Sequence, residues 1–543
     1  MSTASPASFI STNSAPSNLS SIPRTPLALA GIALALGFAV EILFHGHRMG
    51  ISFPIWAALG IVTLLVGAKV EGVRPAPTTL ALIPLILFFA AVAAIRLEPL
   101  TVVLSMLATV LLFALMVRAL LHGRLHRFGF IDLALTWLIV PLEAVLRPWP
   151  SLGAVSRGVT GDRVARSRMF SVLRGVLIAL PVLVVFIGLL ATADLVFGDI
   201  VEDALAWVDL ERVAEYIGRG LVVLMSGVFF LGALITALRA REPRELVGEE
   251  EPILKPFVGF IETVIVLGSV VLVFGLFGTI QLQYLFGGEA NITATGYSYS
   301  EYARRGFGEL IWAAFLSLGL IFALGHWGRR IDKRQRWVFI GLSTSLVLIL
   351  GVALASALLR LQLYEDAFGF TRLRTYTHVF IFCLAILLVA FLVLLYFRRL
   401  RTFALIATIA GLGFVATLSI VNVDGFVAEQ NLERFEETGD LDIAYIGQLT
   451  PDATPAIAGW FAQAGLAMPP ELIAQLACEA GIINSEMRNR SWQSFHFGRQ
   501  RASNALTSLS GDLSGHQVWM EDATWYVAAP NGEENPCFGV WSD

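Results

Sequence analysis

Ten stretches of this sequence run for 19 residues or more without an Asp, Glu, Lys or Arg and are dominated by aliphatic and aromatic side chains: 49–68, 75–95, 99–117, 175–193, 220–238, 263–288, 310–328, 337–359, 375–397 and 402–423. An α-helix rises about 1.5 Å per residue, so about 20 such residues cross the roughly 30 Å of bilayer hydrocarbon. An eleventh block, 25–40, is 16 residues long and reaches spanning length if Glu41 sits at the interface. Charged residues make up 15% of the 543, against about 25% in an ordinary soluble domain, and 56% are hydrophobic. The fold class expected is an all-α polytopic membrane protein of about 11 transmembrane helices, with 12 as the alternative.

The alternative turns on 128–146, where Asp132, Pro141 and Glu143 interrupt the apolar pattern. Lys and Arg near span ends are retained on the cytoplasmic side. If 128–146 lies in the interface or dips and returns, the inner segments carry 24 Lys and Arg and the outer loops nine. If it crosses, that bias weakens. Eleven spans with the N-terminus cytoplasmic and the C-terminus extracytoplasmic is therefore the reading adopted. Residues 1–24 hold eight Ser and three Pro and no long apolar block, the composition of a disordered tail, and 25–423 form the membrane domain.

Residues 424–543 differ in kind, with 17 acidic residues against five arginines and no lysine. They are read as a small, mainly helical, acidic soluble domain. "DGFVAEQNLERFEETG" has Asp424 as N-cap and Gly439 as the stop, Pro469 and Pro470 open a later helix, and 487–509 continue the helical period. A strand pair around "HQVWM" and "TWYVAA" closes the chain, and Trp460, Trp492, Trp519 and Trp525 are expected in or near the core. Cys478 and Cys537 fall in this outward domain and are a candidate disulfide, whereas Cys383 is a buried apolar position within a span. The acidic charge turns nucleic acid away and suits solubility or a basic envelope partner.

The outer face gathers ionisable residues. In "YSYSEYARRGFGEL", Ser298 and Glu301 form a capping-box pattern that opens a helix toward His326, with Glu301, Arg305 and Glu309 along one stripe. "LLRLQLYEDAFGFTRLRTYTH" adds Arg360, Tyr364, Glu365, Asp366, Arg372, Arg374 and His378 around a turn at Gly369. Two readings stand. The arginines converge on an anionic or lipid head, with Tyr and His as hydrogen-bond partners, or the charges pair internally and staple helix ends together. Asp424 and Asp452 read as helix caps, and Asn431 and Arg434 as ties between the tail domain and the membrane end.

The blocks "YSYSEYARRGFGEL", "LLRLQLYEDAFGFTRLRTY", "NVDGFVAEQNLERF" and "LDIAYIGQLTPDATPAI", in this order, resemble the uncharacterised multi-pass bacterial membrane family named domain of unknown function 4173, over roughly residues 170–457. The resemblance implies a bacterial inner-membrane location and brings no reaction or catalytic residue. The metalloprotease, P-loop, nucleophile-elbow and dinucleotide motifs are absent, so no cofactor, metal or catalytic residue is assigned. What remains is a protein that handles a lipid or other amphipathic envelope component, by transport or binding, or that anchors an envelope partner through its outer domain. The alternative is a membrane enzyme acting on a lipid-phosphate substrate at the outer face, with Glu365 or Asp366 as base.

Overall fold

The structure, a computed structural model, describes residues 23–149, 210–239, 257–293, 307–329, 332–488, 490–522 and 524–537, and five isolated positions between 175 and 190. Most of the block 175–193, and the whole stretch "YSYSEYARRG" with its capping box and Arg305, lie outside the described residues. The described chain is mostly helical. Its helices are α1 Pro26–Phe44, α2 Ser52–Val70, α3 Pro77–Leu80, α4 Ile83–Ile95, α5 Pro99–Ala119, α6 Phe130–Leu146, α7 Leu210–Arg239, α8 Phe260–Thr293, α9 Phe307–Trp327, α10 Lys333–Phe368, α11 Arg372–Tyr396 and α12 Phe403–Val421. After these come α13 Val423–Thr438, α14 Ile443–Ile446, α15 Thr454–Ala464, α16 Pro470–Arg488 and α17 Phe497–Ser508, then strands β1 Gln517–Glu521, β2 Thr524–Ala528 and β3 Glu534–Pro536. Among the described residues, nine helices are long and apolar enough to cross a bilayer, with α3 and α4 counting as one. A shorter apolar helix covers Trp312–Gly325, within α9.

The chain divides into two compact units. The first comprises residues 1–38, 63–74 and 141–241. In it small residues let helices approach closely, as is usual where lipid tails compete equally for apolar contact. A Cβ on Gly37 would lie 2.8 Å from the Gly227 nitrogen, and one on Gly232 would meet the Ala144 backbone. At the start of α1, the Glu71 carboxylate takes hydrogen bonds from the Arg24 N–H (3.1 Å), the Thr25 N–H (2.9 Å) and the Thr25 hydroxyl (2.7 Å). Burial alone would raise this carboxyl, but those bonds outweigh it and hold the group below its usual value. They also satisfy N–H groups that a helix start leaves orphaned.

The second unit comprises residues 39–62, 75–140 and 242–543. Its span ends sort into two sets by what they bind. On one side Arg118 donates to the Asp132 carbonyl and the Thr136 hydroxyl (both 2.5 Å), Arg401 donates to the Arg127 carbonyl (3.0 Å), and Arg336 reaches the Tyr396 carbonyl (3.1 Å). There α6 begins, its Asp132 buried; 17 residues long, with Pro141 inside it, it is not among the nine candidate spans. On the other side, every connection described is bonded to the residues that follow α12. The Ile51 N–H donates to the Phe495 carbonyl (2.8 Å), Arg501 to the Ile95 carbonyl (2.9 Å), and the Phe370 N–H to Asn431 Oδ1 (3.0 Å).

These same tertiary bonds account for where sequence expectations fail. Asp424 does not cap α13; Asn422, in the left-handed region at φ 58°, occupies that position, and Asp424 points inward with no exposed surface. Gly439, at φ 71°, ends the helix as a left-handed C-terminal residue does. The single helix expected over 487–509 breaks into α16, a 3₁₀ turn at Trp492–Ser494 and α17, because the Phe495 carbonyl serves Ile51 and the His496 ring caps α17 by accepting from the Gly498 N–H (3.1 Å). Trp492 is 58% exposed rather than in the core, while Trp460 packs on the α13–α17 core. A mainly helical tail is likewise too simple, since the chain closes in a three-stranded antiparallel sheet, β1-β2-β3, with Trp519 opposite Tyr526.

Candidate functional site

Around the ends of α4, α5, α11 and α12, polar groups are buried together. Asp424 accepts from Arg372 Nε (2.5 Å) and Nη2 (2.7 Å), and from the Thr450 N–H (2.7 Å) and hydroxyl (2.6 Å). The Arg372 N–H donates to the Tyr445 hydroxyl (2.8 Å) and its guanidinium also to the Gln448 carbonyl (3.1 Å). Asp452, 3% exposed, accepts from the Leu97 N–H (2.5 Å), and Asn422 donates to the Asp452 carbonyl (3.0 Å). So Asp452, too, caps nothing on its own helix; it holds the turn before α5. In that turn Glu98 caps α5 through the Leu100 and Thr101 N–H groups and takes the Tyr376 hydroxyl at 2.6 Å. Burial pushes Asp452 up to about 6, opposed by the Leu97 bond and Arg96. Burial, reinforced by Arg499, pulls His496 down to about 4, so its imidazole is neutral. The Tyr445 hydroxyl is raised by burial.

The ionisable residues that the sequence grouped at the α10–α11 turn are brought close, and all but the exposed Asp366 face protein. Arg374 lies over the Tyr364 ring at 4.1 Å and donates to the Phe368 carbonyl (3.3 Å) and to that of Gly369. His378 Nδ1 is 3.2 Å from Glu365, which is 2% exposed, and Arg360 lies 3.3 Å from the Ser356 hydroxyl. Asp366 contributes its carbonyl to Arg434 (3.4 Å). Arg372 turns away from these toward Asp424. Asn431 and Arg434 tie α13 to the turn by bonds to the Phe370 (2.9 Å) and Ala367 (3.1 Å) carbonyls.

Beside the junction lies a cavity of about 260 Å³. Leu97, Ile446, Leu449, Ile457, Leu472 and Leu476 supply apolar wall, and Gln475, Glu479 and Glu486 on α16, with Arg499 on α17, supply polar groups. Glu479 accepts from the Thr454 hydroxyl (2.5 Å); burial, with Asp452 nearby, raises it to about 7. Gln475 Oε1 is buried with no hydrogen-bond partner among the described residues. Glu486 is met by Arg48 and by Arg499 Nε (3.3 Å). Next to Glu479, Cys478 is disulfide-bonded to Cys537 with Cα atoms 5.8 Å apart, tying α16 to the segment after β3. Gln475, Glu479 and Glu486 escaped the sequence reading, although a signal was present: they follow Leu472 at i+3, i+7 and i+14, on the stripe that α16 turns to its apolar neighbours. Among the described residues no group of three or more His, Cys, Asp or Glu side chains is placed to hold a metal.

No curated protein and no solved structure matches the chain. A family model does, over residues 83–459, which takes in Glu98, Arg372, Asp424 and Asp452 and stops short of α16 with Glu479 and Cys478. The resemblance to domain of unknown function 4173 thus names the wrong family, although an uncharacterised one in either case, and the matched region begins far upstream of residue 170. The chain belongs to the family described as Domain of unknown function (DUF4153).

Proposed function

We propose that this is an integral protein of a bacterial inner membrane whose residues after α12 form an extracytoplasmic cap, and that the cap binds a small amphipathic envelope molecule in the cavity bordered by α14, α15 and α16. The cavity carries this reading: leucine and isoleucine walls with a few polar side chains converging from one helix are the usual make-up of a small-molecule site. Its volume, about 260 Å³, is just below the usual 300–1,000 Å³ range and suits a head group with a short stem rather than a whole lipid. The outward orientation is supported by two features. A disulfide in the cap is at home in an oxidising compartment. The span ends on the opposite side carry Arg118, Arg124, Arg127, Arg398, Arg399 and Arg401, as cytoplasmic loops do. Membrane access is supported by Glu486, which lines the cavity and pairs with Arg48 in the connection after α1.

Native mass spectrometry of protein gently extracted in detergent tests the proposal. The wild type should carry a small copurified adduct that is absent from Ile457→Phe, whose ring fills the cavity. An adduct retained unchanged by Ile457→Phe, or none on the wild type, rejects it.

A further inference from the structure

We infer that the cavity takes a primary ammonium group carried on an aliphatic stem, a refinement that rests on the binding reading above. The hydroxyl donors of the wall are already spent on protein: Thr450 donates to Asp424 (2.6 Å) and Thr454 to Glu479 (2.5 Å). Pro451, also in the wall, has no N–H to offer. Of the other donors in the wall, Arg499 is turned to Glu486 through its Nε, and beside the Gln475 NH₂ the groups left to meet a ligand are acceptors. Gln475 Oε1 is buried and has no partner among the described residues, and Glu479 uses one oxygen for Thr454 and has a second.

Gln475 and Glu479 stand at i and i+4 on α16, so their side chains are neighbours on one face, and both line the cavity. The Gln475 amide lies against Gly447, where it leaves no room for a Cβ. An ammonium brings three donors and no acceptor and can satisfy both groups at once. A hydroxyl donates once and leaves one acceptor orphaned, at a cost of about 1–3 kcal/mol if buried. An anion would face Glu479 with Asp452 behind it, and Arg499, the cation in the wall, is turned to Glu486, as is Arg48. The raised affinity of Glu479 for a proton has the same physical origin, since an uncompensated carboxylate in an apolar wall lacks a positive partner. The aliphatic stem lies along Leu97, Ile446, Leu449, Ile457, Leu472 and Leu476.

Two sources present this chemistry: the head group of an aminophospholipid and a free aliphatic amine. The full chain, reconstituted in phosphatidylcholine nanodiscs, is titrated calorimetrically with hexylamine, hexanol and hexanoate at pH 7.5. Hexylamine should bind at least tenfold more tightly than hexanol, hexanoate should not compete, and Glu479→Gln and Gln475→Leu should each weaken hexylamine at least tenfold while leaving hexanol unchanged. That unchanged hexanol binding reports an intact cavity in both variants. Equal binding of hexylamine and hexanol, or full hexylamine affinity in Glu479→Gln, overturns the ammonium assignment while the amphiphile-binding reading survives. Failure of all three probes on the wild type overturns both. Nanodiscs containing phosphatidylethanolamine decide the source: weaker apparent hexylamine affinity there identifies the lipid head group, and unchanged affinity the free amine.

Discussion

Asp424→Asn is the perturbation that best tests whether the cap is joined to the spans through the buried junction. The side chain is fully buried and accepts four hydrogen bonds, two from Arg372 at the start of α11 and two from Thr450. Asparagine keeps the size of the carboxylate but points an NH₂ group at donors on one of those two sides, and it leaves the guanidinium without its counter-charge. Breaking a buried charge pair by removing one partner costs about 3–5 kcal/mol. Arg372 keeps 23% of its side chain exposed and can recover some hydration, so the lower end, about 3 kcal/mol, is expected. The assay is unfolding in detergent followed by tryptophan fluorescence, on Asp424→Asn, Arg372→Gln and the double variant. Because each single change strands the other partner, the double variant should lose less than the sum, with a coupling of about 1.5–3 kcal/mol. Additive losses, or an Asp424→Asn loss below about 0.5 kcal/mol, would refute the claim that this pair is the joint.

Three other outcomes follow from the same geometry. Glu479 titrates higher folded than unfolded, so its contribution to stability is complete below about 4.5 and is lost as pH rises through about 7. The wild type should therefore lose about 3 kcal/mol relative to Glu479→Gln between pH 4 and pH 9, measured as paired unfolding curves, and parallel curves would exclude the shift. Gly369 sits at φ 74°, ψ −179°, with Asn431 against the place a Cβ would take, so Gly369→Ala should cost about 2–3 kcal/mol in the same assay; a cost under about 0.5 kcal/mol would count against the turn geometry. In the first unit, Gly37→Val must force α1 away from Gly227, with an expected loss of about 1–3 kcal/mol and faster proteolysis near the helix ends, and wild-type resistance would show the contact to be loose.

The spans were legible in the sequence because hydrocarbon imposes its demand locally: a window of about 20 residues either lacks charge or fails to cross. The site was illegible for the opposite reason. Leu97, Arg372, Asp424, Asp452 and Glu479 are up to several hundred positions apart, and singly each has a bland local reading. Asp424 and Asp452 look like caps because aspartate before a helix usually is one, yet here their oxygens serve Arg372, Thr450 and the turn before α5. Counting charges at the α10–α11 turn suggested either a clamp or a near-neutral network. It could not foresee that backbone carbonyls, which carry no sequence signature, take up Arg374 and Arg434.

The cavity stands between these cases, and the difference is physical. A helix that buries one face should carry apolar residues along it, since placing a carboxylate there costs free energy unless something compensates. On α16 the rule is broken at Gln475, Glu479 and Glu486, and among the described residues only Glu486 meets a cationic partner, in Arg48 and Arg499. Thr454 supplies Glu479 with one hydrogen bond, and Gln475 Oε1 has none among the described residues. Were the stripe needed only for packing, Glu479→Leu would stabilise the cap and leave every property of the protein but its fold strength unchanged. An occupied site predicts a second change beside that one: a more stable cap that no longer holds its ligand.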